Sequence, residues 1–476
     1  MLDEADEVEK GLTRPALKVV EPEIDPNDIW FEDKLERERI AERLTTIVQD
    51  EQAPFVISLD GRWGTGKTFL LKRWRAQLED DEFQAIYFNA WEDDFCDDPL
   101  LAIIGQLSEH FSDGKFKELA LKIADVALGL LTKSLIGEAV KLEDVKPQGI
   151  LRDYHEQRKM KEEVKGQLTQ LAAEVRSETG HPLIFIVDEL DRCRPTFAIE
   201  LLERVKHIFD VPNIVFVFGI NRAELVKSLQ SVFGEIDADE YLRRFFDMPF
   251  ILPNPDSARF CRFLVGMYDL DSFFDDMSKT ANNDIHIKDF RSLSETLPRI
   301  LGRMGLSLRD MDYCVRLVAL AAKGLKERHT MFPAVLALLV AVKITDPDLY
   351  QRFVLGMARG AEIIDHMNER HQLYGGDEPD RNRRDLEWAE AGIYFADNRR
   401  TTWVQLGLLS EGKQLTRPEL LAEATRGLSA DDESDKRRID NLLGGMNWFS
   451  QQGVNYQGSV GYLAELIDLY DNSSSR

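Results

Sequence analysis

Cysteine is scarce in this chain: Cys96, Cys193, Cys261 and Cys314 are the four present in 476 residues, and they form no CxxC pair and meet no regularly spaced histidine. That spacing excludes a disulfide framework and a structural zinc site as organising principles. Basic charge is short as well, with 60 Lys and Arg against 85 Asp and Glu and a formal net charge of -25. An acidic protein repels a polyphosphate backbone, so broad coating of nucleic acid is disfavoured and such a partner would need a local basic patch. Arg299, Arg303, Arg309 and Arg316, or the run Arg381 to Arg384, could supply one, but they read more readily as solvated helix faces.

An uninterrupted apolar run is missing too. The nearest approach, Ala120 to Val140, is broken by Lys122, Asp125, Lys133 and Glu138. A bilayer span needs about 20 predominantly apolar residues, so this stretch is expected to be a buried or amphipathic helix, with no membrane association. The opening residues, Met1 to Glu7, are acidic and lack the basic-then-apolar pattern of a secretory signal. A reducing, cytoplasmic setting is the expectation.

What is present supports packed cores: 43% of residues are hydrophobic and 30% charged. The length exceeds one ordinary domain. Residues 1–32 read as an acidic arm, and helical spacing begins at Asp33 and runs to Ile47. Short β-like runs follow at Pro54–Asp60, Gln84–Asn89, Leu183–Asp188, Ile214–Ile220 and Pro249–Leu252, with helical stretches between them. That alternation predicts an α/β fold, a mostly parallel sheet sandwiched by helices, over residues 33–255, with a helical insertion at about 100–180. Beyond Pro255 the pattern turns helical, at Leu306–Lys323, Phe332–Thr345 and Asp348–Met367. An all-α lid over 256–374 is expected, then a polar joint at Gly375 to Arg384. A C-terminal helical module at 385–476 follows, anchored by Trp388, Trp403 and Trp448.

The chemistry is concentrated in two motifs. Gly61-Arg62-Trp63-Gly64-Thr65-Gly66-Lys67-Thr68 fits G-x-x-x-x-G-K-[ST], stands directly after the run FVISLD and opens a helical stretch at Phe69. The glycines let the backbone wrap so that N–H groups and a helix N-terminus face the β-phosphate, while Lys67 meets the β and γ oxygens and Thr68 binds Mg²⁺. The second motif is the apolar run Leu183 to Val187 ending in Asp188-Glu189. Asp188 is expected at the Mg²⁺ water shell, and Glu189 is placed to orient or deprotonate an attacking water.

A third strand ends in Asn221-Arg222, which offers Asn221 as a polar sensor between γ-phosphate and water. The alternative, a guanine-reading NKxD, would need Lys at Arg222 and Asp at Glu224, and no DxxG stands at Asp188–Asp191. ATP is therefore preferred to GTP. Arginine fingers contribute strongly when they reach a γ-phosphate, and the candidates are Arg192, Arg194, Arg243, Arg244 and Arg309. A simple Asp191–Arg192 ion pair is the structural alternative for Arg192.

Trp63 inside the phosphate loop, Phe88-Asn-Ala-Trp91 at the end of the second strand and the block Asp188-Glu-Leu-Asp-Arg-Cys193 together resemble the KAP family of P-loop NTPases, a STAND- and AAA+-related group. The likeness covers roughly Asp33 to Thr345. It extends to Tyr241-Leu-Arg-Arg-Phe-Phe-Asp-Met-Pro-Phe250 and to Ser307-Leu-Arg309, which looks like the family's sensor-2 position and raises Arg309 above the other arginines. Many members carry Asp where this chain has Glu189. The family often inserts membrane helices between its two motifs. Because the apolar stretch here is broken by charges, the chain looks instead like a soluble member whose insertion is a helical hairpin, with Leu151–Val175 as its charged, exposed part.

The family also implies a role in exclusion of invading phage beside a separate effector protein. The leading expectation is an ATP-hydrolysing switch or assembly ATPase, a homo-oligomer or the partner of an effector. Its rival is a nucleotide-holding sensor with little turnover. A nucleic-acid motor fits poorly with the net charge, and Glu189 beside Asp188 suits activation of water better than kinase chemistry.

Overall fold

The five β-like runs form strands: β1 (Phe55–Asp60), β2 (Ala85–Asn89), β3 (Leu183–Asp188), β4 (Ile214–Ile220) and β5 (Met248–Ile251). All pair in parallel, in the order β2-β3-β4-β1-β5. The computed structural model describes residues 24–31, 33, 35–139, 147–253, 256–273, 293–323, 333–355, 357–371, 387, 390–393, 422, 424–429 and 431–451. The chain divides into an α/β unit, Pro22–Asn254, and a second unit containing Pro255–Arg476.

Covered on both faces, the central strands need no polar alternation, and every residue of β3 and β4 is buried. Successive side chains point to opposite sides and so feed two different cores. Ile57, Leu59, Ile184, Ile186, Val215 and Val217 pack beneath α1 (Glu38–Val48) and α2 (Lys67–Asp80). Phe185, Val187, Phe216 and Phe218 face the other layer, which includes α3 (Pro99–His110), α4 (Lys117–Ala139), α5 (Pro147–Thr179), α6 (Pro195–Ile208) and α7 (Arg222–Phe233). The rings of Phe185 and Phe216 stack at 4.7 Å across neighbouring strands. A short helix, α8 (Ala238–Leu242), precedes β5.

Helix α1 starts at Glu38 rather than Asp33, because both Asp33 carboxylate oxygens accept backbone N–H groups, of Leu35 and Glu38, and hold the preceding turn out of the helix. In the arm, Trp30 docks on α2, its Nε1 donating to Gln77 at 3.0 Å. Helices α4 and α5 pack together as the inserted hairpin. The expectation that Leu151–Val175 is exposed needs correction, since Val164, Leu168, Leu171, Ala172 and Val175 are fully buried. Their spacing forms one apolar helical face among many charged residues, and overall polarity masks such a stripe. No described helix is long and apolar enough to cross a membrane.

The second unit is helical where described: α9 (Ser257–Met267), α10 (Leu293–Leu301), α11 (Leu308–Lys323), α12 (Pro333–Thr345), α13 (Pro347–Val354), α14 (Gly360–His371) and α15 (Glu433–Gln451). Val335 through Val342 are all buried, so α12 runs through the core. The single helix expected over Asp348–Met367 is two. The N–H groups of Met357 and Ala358 both turn back to the Arg352 carbonyl and close α13 before Arg359. Trp388, Trp403 and the Gly375 to Arg384 joint lie outside the described residues, as does the side chain of Trp448 on α15.

Candidate nucleotide-binding site

Strand β1 ends at Asp60 and α2 begins at Lys67, leaving Gly61 to Gly66 as the connecting loop. Gly64 and Gly66 have φ of 75° and 83°, a left-handed conformation in which a Cβ would be strained. The first turn of α2, at Lys67, Thr68 and Phe69, presents backbone N–H groups that no helical carbonyl can satisfy, which is the arrangement that receives a phosphate. Thr65 is buried and its hydroxyl donates to the Arg62 carbonyl at 2.8 Å. Phe69 lies under the Arg73 guanidinium, 3.7 Å from the ring centroid.

Lys67 is buried, and its ammonium donates to the carbonyls of Gly61 and Arg62, at 2.5 and 3.3 Å. Burial lowers its pKa, while the carboxylates of Asp191, Asp188 and Asp60 act in the opposite sense. A polyphosphate would add the anionic partner that this desolvated cation favours.

Strand β3 delivers Asp188, which is fully buried. Room for its carboxylate depends on Gly219, its register partner on β4: a Cβ there would stand 2.8 Å from Asp188 Oδ1 and 2.5 Å from Leu71 Cδ1. The carboxylate accepts from the Glu189 N–H at 2.8 Å, from the Tyr87 hydroxyl at 3.0 Å and from the Thr68 hydroxyl. Burial raises the Asp188 pKa, opposed by those donors and by the Lys67 ammonium. Tyr87 shifts upward as well, through burial first and then the negative charge of Asp188. A hydroxyl and a carboxylate in contact at the phosphate loop make a hard oxygen pair that suits Mg²⁺, so Thr68 and Asp188 fit the ion expected there.

Glu189 takes φ of 59°, an uncommon conformation for a non-glycine residue that the surrounding turn must hold in place. Its carboxylate pairs with Arg192 at 2.9 Å, and Arg192 also lies over the Trp91 ring at 5.3 Å. Asp191 has different partners: it accepts from the Asn221 N–H at 2.9 Å and from Trp63 Nε1 at 2.5 Å. One carboxylate thus ties the phosphate loop to the end of β4. The suggested Asp191–Arg192 pair is replaced by Glu189–Arg192.

The α/β unit therefore gathers Trp63, Lys67, Thr68, Asp188, Glu189, Arg192 and Asn221 into one hydrogen-bonded region at the C-terminal ends of its strands. Arg194 is engaged with Asp94 and the Cys96 carbonyl. Arg243 and Arg244 are exposed beyond α8, with the Arg244 guanidinium 6.0 Å from the Tyr241 ring. Arg309 is exposed in the first turn of α11, in the second unit. Sequence reasoning missed three residues here. Asp191 was weighed only as an ion-pair partner, and Tyr87 carried a faint signal as a half-buried position on an edge strand. Arg37, whose guanidinium donates to the Thr65 carbonyl at 2.9 Å, had none.

A model of the KAP family P-loop domain matches residues 37–323, more than half of the chain. The phage T7 exclusion protein of Escherichia coli (strain K12) is 22% identical over 340 residues, which cover 63% of this chain. The chain spans 42% of the length of that relative. Among solved structures, the Aeropyrum pernix ORC2 protein in ADPNP-ADP complexes is similar at 14% identity and a TM-score of 0.32, over 92% of this chain and 99% of that one. C. elegans PCH-2 is similar at 13% identity and a TM-score of 0.28, over 68% and 74%.

Proposed function

Since this chain belongs to the KAP family of P-loop NTPases, we propose that it binds and hydrolyses ATP with Mg²⁺ and uses the cycle as a switch or to drive assembly. The observation that supports this reading most directly is the convergence of Lys67, Thr68 and Asp188, with Glu189 one residue farther along. A scaffold that only holds nucleotide has no need of that second carboxylate. In this reading the N–H groups of the Gly61–Thr68 loop cradle the β-phosphate, and Lys67 leaves the loop carbonyls to neutralise β and γ oxygens. Thr68 and Asp188 hold the Mg²⁺, which when bound offsets charge on the phosphoryl oxygens. Glu189, released from Arg192, accepts a proton from the attacking water, and Asn221 orients that water. Arg244 and Arg309, both exposed, are available to act across a subunit boundary or after rearrangement.

A second reading, a sensor with little turnover, is favoured by one observation: the Glu189 carboxylate is neutralised by Arg192 at 2.9 Å. Turnover by the wild type and Glu189→Gln, with sizing in ATP and Mg²⁺, separates the two. Loss of about 10²–10⁴-fold in rate with ATP retained and an assembled species trapped is the expected result. No wild-type turnover and no change in size would leave the sensor reading. The likeness to a phage exclusion protein supports a further proposal, that the chain acts in defence against phage beside a separate effector.

A further inference from the structure

Arg37 stands at the start of α1, far in sequence from the phosphate loop, yet its side chain is 1% exposed and reaches two backbone carbonyls. Nη2 donates to Thr65 O at 2.9 Å, and Nη1 donates to Pro253 O at 3.1 Å, just beyond β5. Burying a guanidinium is costly unless it is hydrogen-bonded, so these two bonds must be specific compensation. Burial lowers the Arg37 pKa, and Asp33 opposes that shift.

The consequence follows from the planarity of one peptide. Thr65 C=O and Gly66 N–H belong to the same trans unit and point in opposite directions. With the carbonyl drawn toward Arg37, the N–H is directed away from it. Gly66, at φ of 83° and ψ of 24°, has no Cβ to restrict rotation of that peptide, so the residue type alone does not select the orientation and a contact must hold it. The other end of the loop is held against the same strand exit, since Gly61 packs against Leu252, where even a Cβ would stand 3.4 Å from the Leu252 Cβ.

We infer that Arg37 is a positioning residue for polyphosphate: by pinning the Thr65 carbonyl to the exit of β5, it turns the Gly66 N–H toward the β-phosphate. The inference rests on the nucleotide-binding reading and goes beyond it. Its signature is selectivity for the number of phosphates, because a monophosphate has no β-phosphate for that N–H to meet.

The test measures affinity of the full chain for ATP, ADP and AMP, with thermal melting of each variant. Arg37→Met is expected to weaken ATP and ADP by at least about tenfold and AMP by much less. Arg37→Lys, which keeps the charge but spans only one carbonyl, should fall between and serves if the Met variant does not fold. Equal losses for all three nucleotides, or unchanged ATP affinity in a folded Arg37→Lys and Arg37→Met pair, would overturn the inference. Failure of the underlying reading looks different: wild type would not bind ATP, or Lys67→Ala would bind it as wild type does.

Discussion

Buried polar groups serve different ends in the two units. In the α/β unit, Thr65, Lys67, Asp188, Asp191 and Asn221 are buried around the ends of the strands, where Asp191 joins the phosphate loop to the end of β4 and Asp188 meets Tyr87 of β2. In the helical unit the buried Glu390 is met by Arg438 at 3.1 Å, and the buried Glu387 by Asn441 at 2.7 Å, both from α15. The first set lies around the phosphate loop, whereas the second pairs side chain with side chain between segments remote in the chain. Parallel strands all end at one edge of their sheet, so whatever follows them converges. Helices packed side by side have no such common edge, and their polar residues pair where they happen to meet.

That contrast can be broken most severely at Arg438. Arg438→Met removes the guanidinium that meets the buried Glu390 carboxylate, at a cost of about 3–5 kcal/mol in chemical denaturation. ATP affinity should be unchanged, and a parallel loss of affinity would show the two units to be coupled. Acid probes the other unit. Burial holds His110 at a pKa of about 4, against 6.5 when free. Between those values the unfolded chain binds a proton that the folded one refuses, so stability falls as pH drops from about 6.5 to about 4, by up to about 3 kcal/mol. His110 Nε2 donates to the Gln84 amide oxygen at 3.0 Å, and His110→Gln should flatten this part of the pH profile.

Gly219→Ala tests whether packing and chemistry coincide at the strand ends. The added methyl meets Leu71 and the Asp188 carboxylate, so stability should fall by about 1–3 kcal/mol with weaker Mg²⁺-ATP binding. A loss of stability with binding intact would separate the two. The smallest effect is expected at Trp63→Phe, which removes the donor to Asp191 at a cost of about 1 kcal/mol in melting studies. An unchanged melting curve would mean that the bond between loop and strand contributes nothing to folding.

Much of the α/β unit was legible because its signals are local. The strands lie within a residue or so of the apolar runs, since a doubly covered strand must be apolar throughout, and the glycines of the phosphate loop announce a left-handed backbone. The helical unit was less legible. The break between α13 and α14 is made by two N–H groups sharing the Arg352 carbonyl, which leaves little trace in hydrophobic spacing. The buried face of α5 was hidden by the charges that alternate with it.

The sequence by itself determined the strands, the phosphate loop and the acidic strand end, because each is specified by neighbouring residues and by the conformations they permit. Tertiary structure alone decided the partners: Arg192 with Glu189, Asp191 with Trp63 and Asn221, Tyr87 with Asp188, Arg37 with Thr65. Several of these contacts join residues remote in the chain, and no local pattern encodes which donor a buried carboxylate or carbonyl will meet. That choice arises only when the sheet brings its strand ends together and excludes the water that would otherwise satisfy them all.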